Sequence, residues 1–195
     1  MSSIIVAGDT SGSITLQAPA VSGSTVLTLP AVSGTVLTST SPQSSFPPNI
    51  AGNGPAFSAY LSASAQSITG STFTKIQMSG ELFDTANCFD STTNYRFTPT
   101  TAGYYQINLS VYCDYTVTAF GRGTSAIYKN GSVINDTTMV STFYGALNCN
   151  VLIQMNGTTD YLEFYGAIYS GAGLQFLGVS GTNKTYVTGY LARSA

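Results

Sequence analysis

The chain has 195 residues, which is enough for one domain with an appendage, and its 43% hydrophobic content argues against disorder. Its six Lys and Arg residues are scattered, so they do not form the basic patch that binding to nucleic acids or anionic membranes requires. The absence of histidine excludes a Ser-His-Asp triad and an imidazole metal ligand, and we expect neither enzymatic activity nor a cofactor.

Residues 1–40 contain an internal repeat. Ser11-Gly12-Ser13 recurs as Ser22-Gly23-Ser24, and Thr-Val-Leu-Thr occurs at residues 25–28 and again at 35–38. Each unit is a Ser-Gly turn followed by β-branched residues, which predicts an extended, β-rich arm. Strands this short need a partner, so we expect the arm to anchor the protein through its apolar residues, Ile14, Leu16, Val26, Leu27, Leu29, Val36 and Leu37. A flexible Ser/Thr-rich linker is the alternative.

A proline-rich segment follows the arm. Residues 41–55 hold four of the seven prolines of the chain, and a residue that precedes proline is pushed towards an extended backbone. This composition predicts a stiff linker over residues 41–54, between the arm and a head that comprises residues 55–195. All thirteen tyrosines lie in the head, which can therefore build an aromatic core.

The head shows the period-two alternation of β-strands throughout. Apolar residues alternate with polar ones from Tyr105 to Cys113 and from Leu147 to Met155. The pair Asn130-Gly131 is typical of the type I′ turn of a hairpin. No amphipathic helix of three turns is apparent in the sequence. Many strands at short intervals, separated by such turns, predict an all-β sandwich or jelly roll.

One strand carries apolar residues on one face and tyrosines on the other. Leu162, Phe164 and Ile168 form the apolar face, and Tyr161, Tyr165 and Tyr169 form the opposite face. Tyrosine is enriched at interfaces because its ring is apolar while its hydroxyl still finds a partner. Only 7% of the residues are charged, which also suggests that subunit contacts bury part of the surface. We predict that Tyr161, Tyr165 and Tyr169 face a neighbouring subunit; the alternative is a sheet covered by the loops of its own chain.

Glu81, Asp84 and Asp90 form the densest acidic cluster in the sequence. Such carboxylates can flank a calcium ion or act as the carboxylate pair of a glycosidase. The alternating Asp ladder of an EF-hand is absent. We therefore interpret these residues as solvated loop charges and predict no metal site.

The cysteines and the amino terminus bear on the location of the protein. Cys88, Cys113 and Cys149 cannot all pair within one chain, and no CxxC spacing occurs, so we expect free thiols. The amino terminus lacks the basic and apolar regions of a secretory signal. A protein of this kind that works outside a cell is expected to leave it by lysis or as part of a particle.

The spaced aromatic residues of the head resemble the C1q-like (tumour-necrosis-factor-like) jelly-roll family. Pro55–Ala59 is similar to the first strand of that family, and Gly189-Tyr190-Leu191 is similar to its last. In the central part of the head, Ile107 and Leu109 stand at positions where that family prefers aromatic residues. The resemblance implies an antiparallel jelly-roll sandwich and a compact homotrimer. It places in the core the motif residues Phe57, Phe89, Phe97, Gly103, Tyr105, Ile107 and Leu109.

The arm is similar to the amino-terminal repeats of structural proteins from tailed bacteriophages. The similarity rests on residues 8–13, Thr25–Pro30 and Gly34–Thr38. It implies a virion protein that residues 1–40 fix to other virion proteins, the major capsid protein among them. The short chain favours a capsid decoration or cement protein, or a spike, over a long fibre.

The resemblance also leaves open a second role, that of a tail-fibre or receptor-binding tip. Such a module would bind a host-surface glycan through loops at one end of the sandwich. The candidate loops are Thr85–Thr93 and Ser170–Gly173, because hydroxyl, amide and tyrosine side chains can hydrogen-bond and stack against sugars.

Overall fold

The computed structural model describes residues 3–7, 11, 13–17, 31, 54–116, 121–141, 145–169, 172–178 and 183–195. Contacts divide the chain into two compact units, Met1–Thr38 and Ser39–Ala195. Every regular element in the described residues is a β-strand, so none of them is a helix that could cross a membrane. The protein is therefore all-β, as the alternating pattern predicts.

The first unit contains an antiparallel ribbon of two strands, β1 (Ser3–Ala7) and β2 (Ser13–Gln17). Strand β2 begins directly after Ser11-Gly12, where the repeat predicts a turn. Two of the proposed anchoring residues, Ile14 and Leu16, belong to β2. The other five lie outside the described residues, as does the linker except for Gly54, so the anchoring role stays a prediction. The five are Val26, Leu27, Leu29, Val36 and Leu37.

The second unit is a sandwich of two antiparallel sheets. The strands of the first sheet are β5 (Thr74–Lys75), β7 (Phe89–Asp90), β8 (Arg96–Phe97), β10 (Gly121–Lys129), β11 (Ser132–Ser141) and β13 (Leu162–Ile168). Those of the second sheet are β3 (Ala56–Tyr60), β4 (Ala65–Ser67), β6 (Gly80–Asp84), β9 (Gly103–Thr116), β12 (Gly145–Met155), β14 (Ala172–Leu177) and β15 (Tyr186–Ser194). The first sheet runs in the order β11-β10-β13-β8-β7, and β5 also pairs with β13. In the second sheet β9 is central, between β12 on one side and β14 and β15 on the other.

The core lies between the two sheets and is built around the aromatic motif. Phe57 stacks on Phe97 with ring centroids 4.4 Å apart and on Phe89 at 5.1 Å, and Tyr105 meets Phe97 edge-on. Ile107 and Leu109 are buried beside these rings. At Gly103, a Cβ would lie 2.5 Å from the backbone carbonyl oxygen of Arg193, so a side chain there would collide with β15.

One end of the sandwich is closed by a hydrogen-bonded network that joins two turns. Asn130 and Gly131 have φ values of 51° and 80°, as the type I′ turn between β10 and β11 requires. The buried Asp160 accepts hydrogen bonds from Lys129 Nζ at 2.8 Å and from Asn130 Nδ2 at 2.8 Å. It also accepts one from the Asn156 backbone N–H at 2.9 Å. The hydrogen bonds from Lys129 and Asn130 hold the pKa of Asp160 below its ordinary value.

We expect Asp160→Ala to lower the free energy of unfolding by about 3 kcal/mol, because three donors lose their acceptor. The effect should depend on pH. A depressed carboxyl pKa stabilises the fold above the unfolded-state value of about 3.9, and this contribution is lost as pH falls through the folded-state pKa. Urea unfolding of both proteins at neutral and acidic pH measures it. The exposed Asp136 provides the control, and an equal loss in Asp136→Ala would contradict the network's role.

The core contains one unsatisfied hydroxyl among the described residues. Ser125 Oγ on β10 is fully buried and has no hydrogen-bond partner. We expect Ser125→Ala to raise the free energy of unfolding by about 1 kcal/mol, because it removes a desolvated polar group. The neighbouring Thr124 is the control: its hydroxyl lies 2.8 Å from that of Thr138, so Thr124→Val should destabilise. Urea unfolding of both variants checks the opposite signs, and a loss of stability in both would refute the expectation.

Candidate functional site

The tyrosines that the sequence places at a subunit contact lie on the outer face of the first sheet, and all three are half-buried. The ring of Tyr165 packs on that of Tyr128, with centroids 4.2 Å apart, and its hydroxyl donates to Glu163 at 3.3 Å. Glu163 also accepts a hydrogen bond from Lys75 Nζ at 2.5 Å. Burial raises the pKa of Tyr165 to about 12, and the adjacent Glu163 carboxylate adds to the shift. The central tyrosine therefore has partners within its own chain.

The two outer tyrosines also contact side chains of their own chain. The guanidinium of Arg96 lies over the ring of Tyr161, 4.6 Å from its centroid. That of Arg122 lies 3.8 Å from the centroid of Tyr169. Cation–π contacts of this kind cover one side of each ring. The assignment of these tyrosines to a subunit contact remains a prediction.

Most of the cations of the chain belong to the first sheet. Four of the six Lys and Arg residues lie on its strands, namely Lys75, Arg96, Arg122 and Lys129. Glu163 and Asp136 lie on the same sheet. A subunit contact over such a surface would have to desolvate several charges, which is costly unless each is paired across the contact. This surface is therefore better suited to solvent.

The outer face of the second sheet has a different composition. Three central rows of neighbouring residues cross β12, β9, β15 and β3, and they contain no Asp, Glu, Lys or Arg. Phe83 of β6 extends the middle row, because it pairs with Ser58. We name this surface the uncharged face. It comprises the row members Ala56, Ser58, Tyr60, Phe83, Gln106, Asn108, Ser110, Asn148, Asn150, Leu152, Tyr186, Thr188 and Tyr190, with Tyr104 beside them. Arg193, which pairs with Tyr104, borders this surface.

The uncharged face leaves large apolar side chains open to solvent. Five of them are between 38% and 57% exposed: Phe83, Tyr104, Leu152, Tyr186 and Tyr190. Asparagine and glutamine amides lie among them, and Leu152 and Tyr190 both flank Gln106. Exposed apolar surface that is depleted of charge and rich in tyrosine is characteristic of protein–protein contacts. The uncharged face is therefore the candidate subunit-contact surface of the head.

The sequence signal for this surface is weak. Gln106, Asn108 and Ser110 follow the polar-out rule of a strand that faces water. The alternation of Tyr186, Thr188 and Tyr190 in the last strand is the one local hint that the same face is aromatic. Only the pairing of strands distant in sequence brings Tyr190 into the same row as Leu152, on the other side of Gln106.

Two of the three clustered acidic residues hold turns together. Asp84 accepts hydrogen bonds from the backbone N–H groups of Ala86 and Phe89. Asp90 accepts five hydrogen bonds, from the backbone of residues 92–94 and from the side chains of Thr92 and Asn94. The backbone N–H groups of Thr93 and Thr92 hold the pKa of Asp90 well below its usual range. Within the described residues, no three acidic or cysteine side chains are grouped so as to hold a metal ion.

Comparisons with known proteins define the fold. No family model matches the chain, and no curated protein matches it. The structure of Eiger TNF from S. frugiperda superposes with a TM-score of 0.51 at 9% identity, over 72% of this chain and 93% of that one. The globular domain of zebrafish complement 1qA gives 0.48 at 14% identity, over 72% and 98%. Murine APRIL gives 0.49 at 9% identity, over 70% and 98%. Together with the strand order, the first of these matches shows that the head has the antiparallel jelly-roll fold of C1q and TNF domains.

Proposed function

We propose that this protein is a homotrimeric structural protein of a tailed-bacteriophage particle, and that its role is assembly rather than catalysis. The uncharged face carries the proposal. Leu152, Tyr190 and Phe83 are exposed on rows of the second sheet that contain no charged residue, whereas four of the six cations lie on the first sheet. The uncharged rows are therefore suited to be covered by another subunit.

The layout of the uncharged face suits a cyclic assembly. Leu152 lies on β12, at one side of the second sheet, and Phe83 lies on β6, at the opposite side. A ring of three subunits uses a head-to-tail contact, in which one patch of each subunit meets a different patch of the next. Two apolar patches on opposite sides of one sheet, with hydrogen-bonding amides between them, meet this requirement.

The particle role draws its support from the arm. Its eleven-residue repeat resembles the amino-terminal repeats of phage structural proteins, and its first strands form an antiparallel ribbon within the first of the two units. We propose a capsid decoration or cement protein, or a spike, with residues 55–195 outward and with other virion proteins as partners of residues 1–40.

Two measurements test the proposal. Light scattering of the purified protein at micromolar concentration should give three times the chain mass of 20.3 kDa. Imaging of intact particles should then show threefold-symmetric density for the head at the outer surface. A single-chain species at micromolar concentration would overturn the trimer, and absence of the protein from purified particles would overturn the virion role.

A further inference from the structure

A cleft opens between strand β6 and the β7–β8 hairpin. Its volume is about 490 Å³, which lies in the range of small-molecule sites. Buried Phe89 and Cys88 contribute to its wall, and the half-exposed or exposed side chains of Glu81, Asn87, Ser91 and Arg96 surround them. The cleft coincides with Thr85–Thr93, one of the two loops that the sequence suggests for glycan binding. Much of the other loop lies outside the described residues.

The cleft does not belong to the uncharged face. Along β6, Phe83 pairs with Ser58 on the outer face, whereas Glu81 pairs with Ala59, whose side chain is buried between the sheets. The register shifts between these two pairs, as at a β-bulge, and this interrupts the regular alternation of β6. Glu81 is therefore placed at the open edge of the sandwich, on the opposite side of β6 from Phe83. Covering the uncharged face with another subunit does not require covering Glu81.

The walls of the cleft are held in place by the chain itself. Asp84 fixes the loop before Phe89, and Asp90 fixes the turn of residues 91–94 through its five hydrogen bonds. A cation–π contact with the Tyr161 ring restricts the side chain of Arg96. A site whose walls are already ordered loses less entropy when a ligand binds.

Several polar side chains of the cleft remain available to a ligand. The side chains of Glu81, Asn87, Ser91 and Arg96 make no hydrogen bond to any other residue that the structure describes. They offer a carboxylate acceptor, an amide, a hydroxyl and a guanidinium fork of donors. The available groups therefore include both donors and acceptors within one small volume.

This set of groups excludes most classes of ligand. An apolar ligand would leave the polar wall unpaired. An anionic ligand would meet the carboxylates of Glu81 and Asp90 against the single cation of Arg96. A calcium ion needs six or more oxygen ligands. The carboxylate oxygens of Asp90 already accept five hydrogen bonds, so they are not free to bind such an ion. An uncharged molecule rich in hydroxyl groups matches both the donors and the acceptors.

We propose that this cleft binds a neutral saccharide, with Arg96 donating and Glu81 accepting hydrogen bonds to its hydroxyl groups. Asn87 and Ser91 hydrogen-bond the remaining hydroxyls from the loop. The inference does not rest on the trimer or on the particle role, since all four residues belong to a single chain.

The test uses the purified full-length protein on an array of neutral, sialylated and sulfated oligosaccharides, followed by calorimetry with the neutral oligosaccharide that binds best. We expect neutral oligosaccharides to bind, and Arg96→Gln and Glu81→Gln to weaken the affinity about tenfold or more, as loss of a hydrogen bond to a charged group implies. Arg122→Gln is the matched control, because Arg122 also lies over a tyrosine ring but is outside the cleft.

Thermal melting first establishes that each variant is folded, and Glu81→Gln, at an exposed side chain, carries the test should Arg96→Gln unfold. Failure of every neutral oligosaccharide to bind overturns the proposal. A preference for sialylated or sulfated glycans overturns it, and so does an equal loss of affinity in Arg122→Gln. None of these results bears on the oligomeric mass, so the assembly proposal is tested separately.

Discussion

Leu152→Arg should convert the protein from a trimer into a monomer at micromolar concentration. Leu152 is 57% exposed in the single chain and lies within the uncharged face. A subunit packed on that face would bury the introduced guanidinium beside amides and tyrosines, without a carboxylate to pair with. Burying an unpaired charge costs several kcal/mol, which exceeds what a single contact residue contributes favourably. Light scattering across a concentration series measures the change in mass.

Val140→Arg provides the matched control for this variant. Val140 is 62% exposed, so its exposure is similar, but it lies on β11 of the first sheet and pairs with Arg122. We expect Val140→Arg to remain trimeric. Dissociation by Val140→Arg with an intact Leu152→Arg trimer would instead favour the surface of Tyr161, Tyr165 and Tyr169. A trimer in both variants would remove both sheet faces from the assembly.

The parts of the fold that depend on local pattern were accessible from the sequence. Strands β9 and β12 alternate with period two because each has one face in the core, and Asn130-Gly131 supplies the backbone conformation of a type I′ turn. The spacing of Phe97, Gly103 and Tyr105 is likewise local. Such features follow from residues a few positions apart, so one strand at a time is sufficient to predict them.

The candidate contact surface depends on pairing between distant strands. Tyr190 and Leu152 become neighbours because β15 and β12 both pair with β9 on either side of Gln106. The sequence of β15 or of β12 alone does not show that an apolar residue of the other strand lies two strands away. For Tyr161 and Tyr169, the local sequence does not show that side chains of the same chain, Arg96 and Arg122, lie over their rings.

The acidic cluster illustrates the same limit for chemistry. Glu81, Asp84 and Asp90 are close in sequence, which allows a calcium ion or a carboxylate pair as interpretations. Their roles differ because the backbone N–H groups of the following residues turn towards Asp84 and Asp90, whereas Glu81 faces an open cleft. Hydrogen bonds to backbone donors are set by the path of the chain, and residue type alone does not specify it.

Deletion of residues 2–40 should abolish attachment to the particle while leaving a trimeric head. Contacts divide the chain close to this boundary, and the uncharged face belongs entirely to the second unit. The deletion should therefore leave the melting temperature of the head and its oligomeric mass unchanged. Cosedimentation of full-length and truncated protein with particles assembled without it measures attachment. Retention of the truncated form to the same extent as the full-length protein would contradict the anchoring role.

The physical reason for the expected loss is that apolar side chains in the described part of the arm are left uncovered. Within the described residues the ribbon consists of β1 and β2, and Ile5 and Val6, which point to opposite faces, are 64% and 55% exposed. A two-stranded sheet is marginally stable in water and needs a covering surface. Three arms on one trimer also bind far more tightly than one, by about 10²-fold or more where geometry allows. Residues 1–54 fused to an unrelated monomeric protein should therefore bind particles weakly, and binding as strong as that of the trimer would show that the head contributes nothing to attachment.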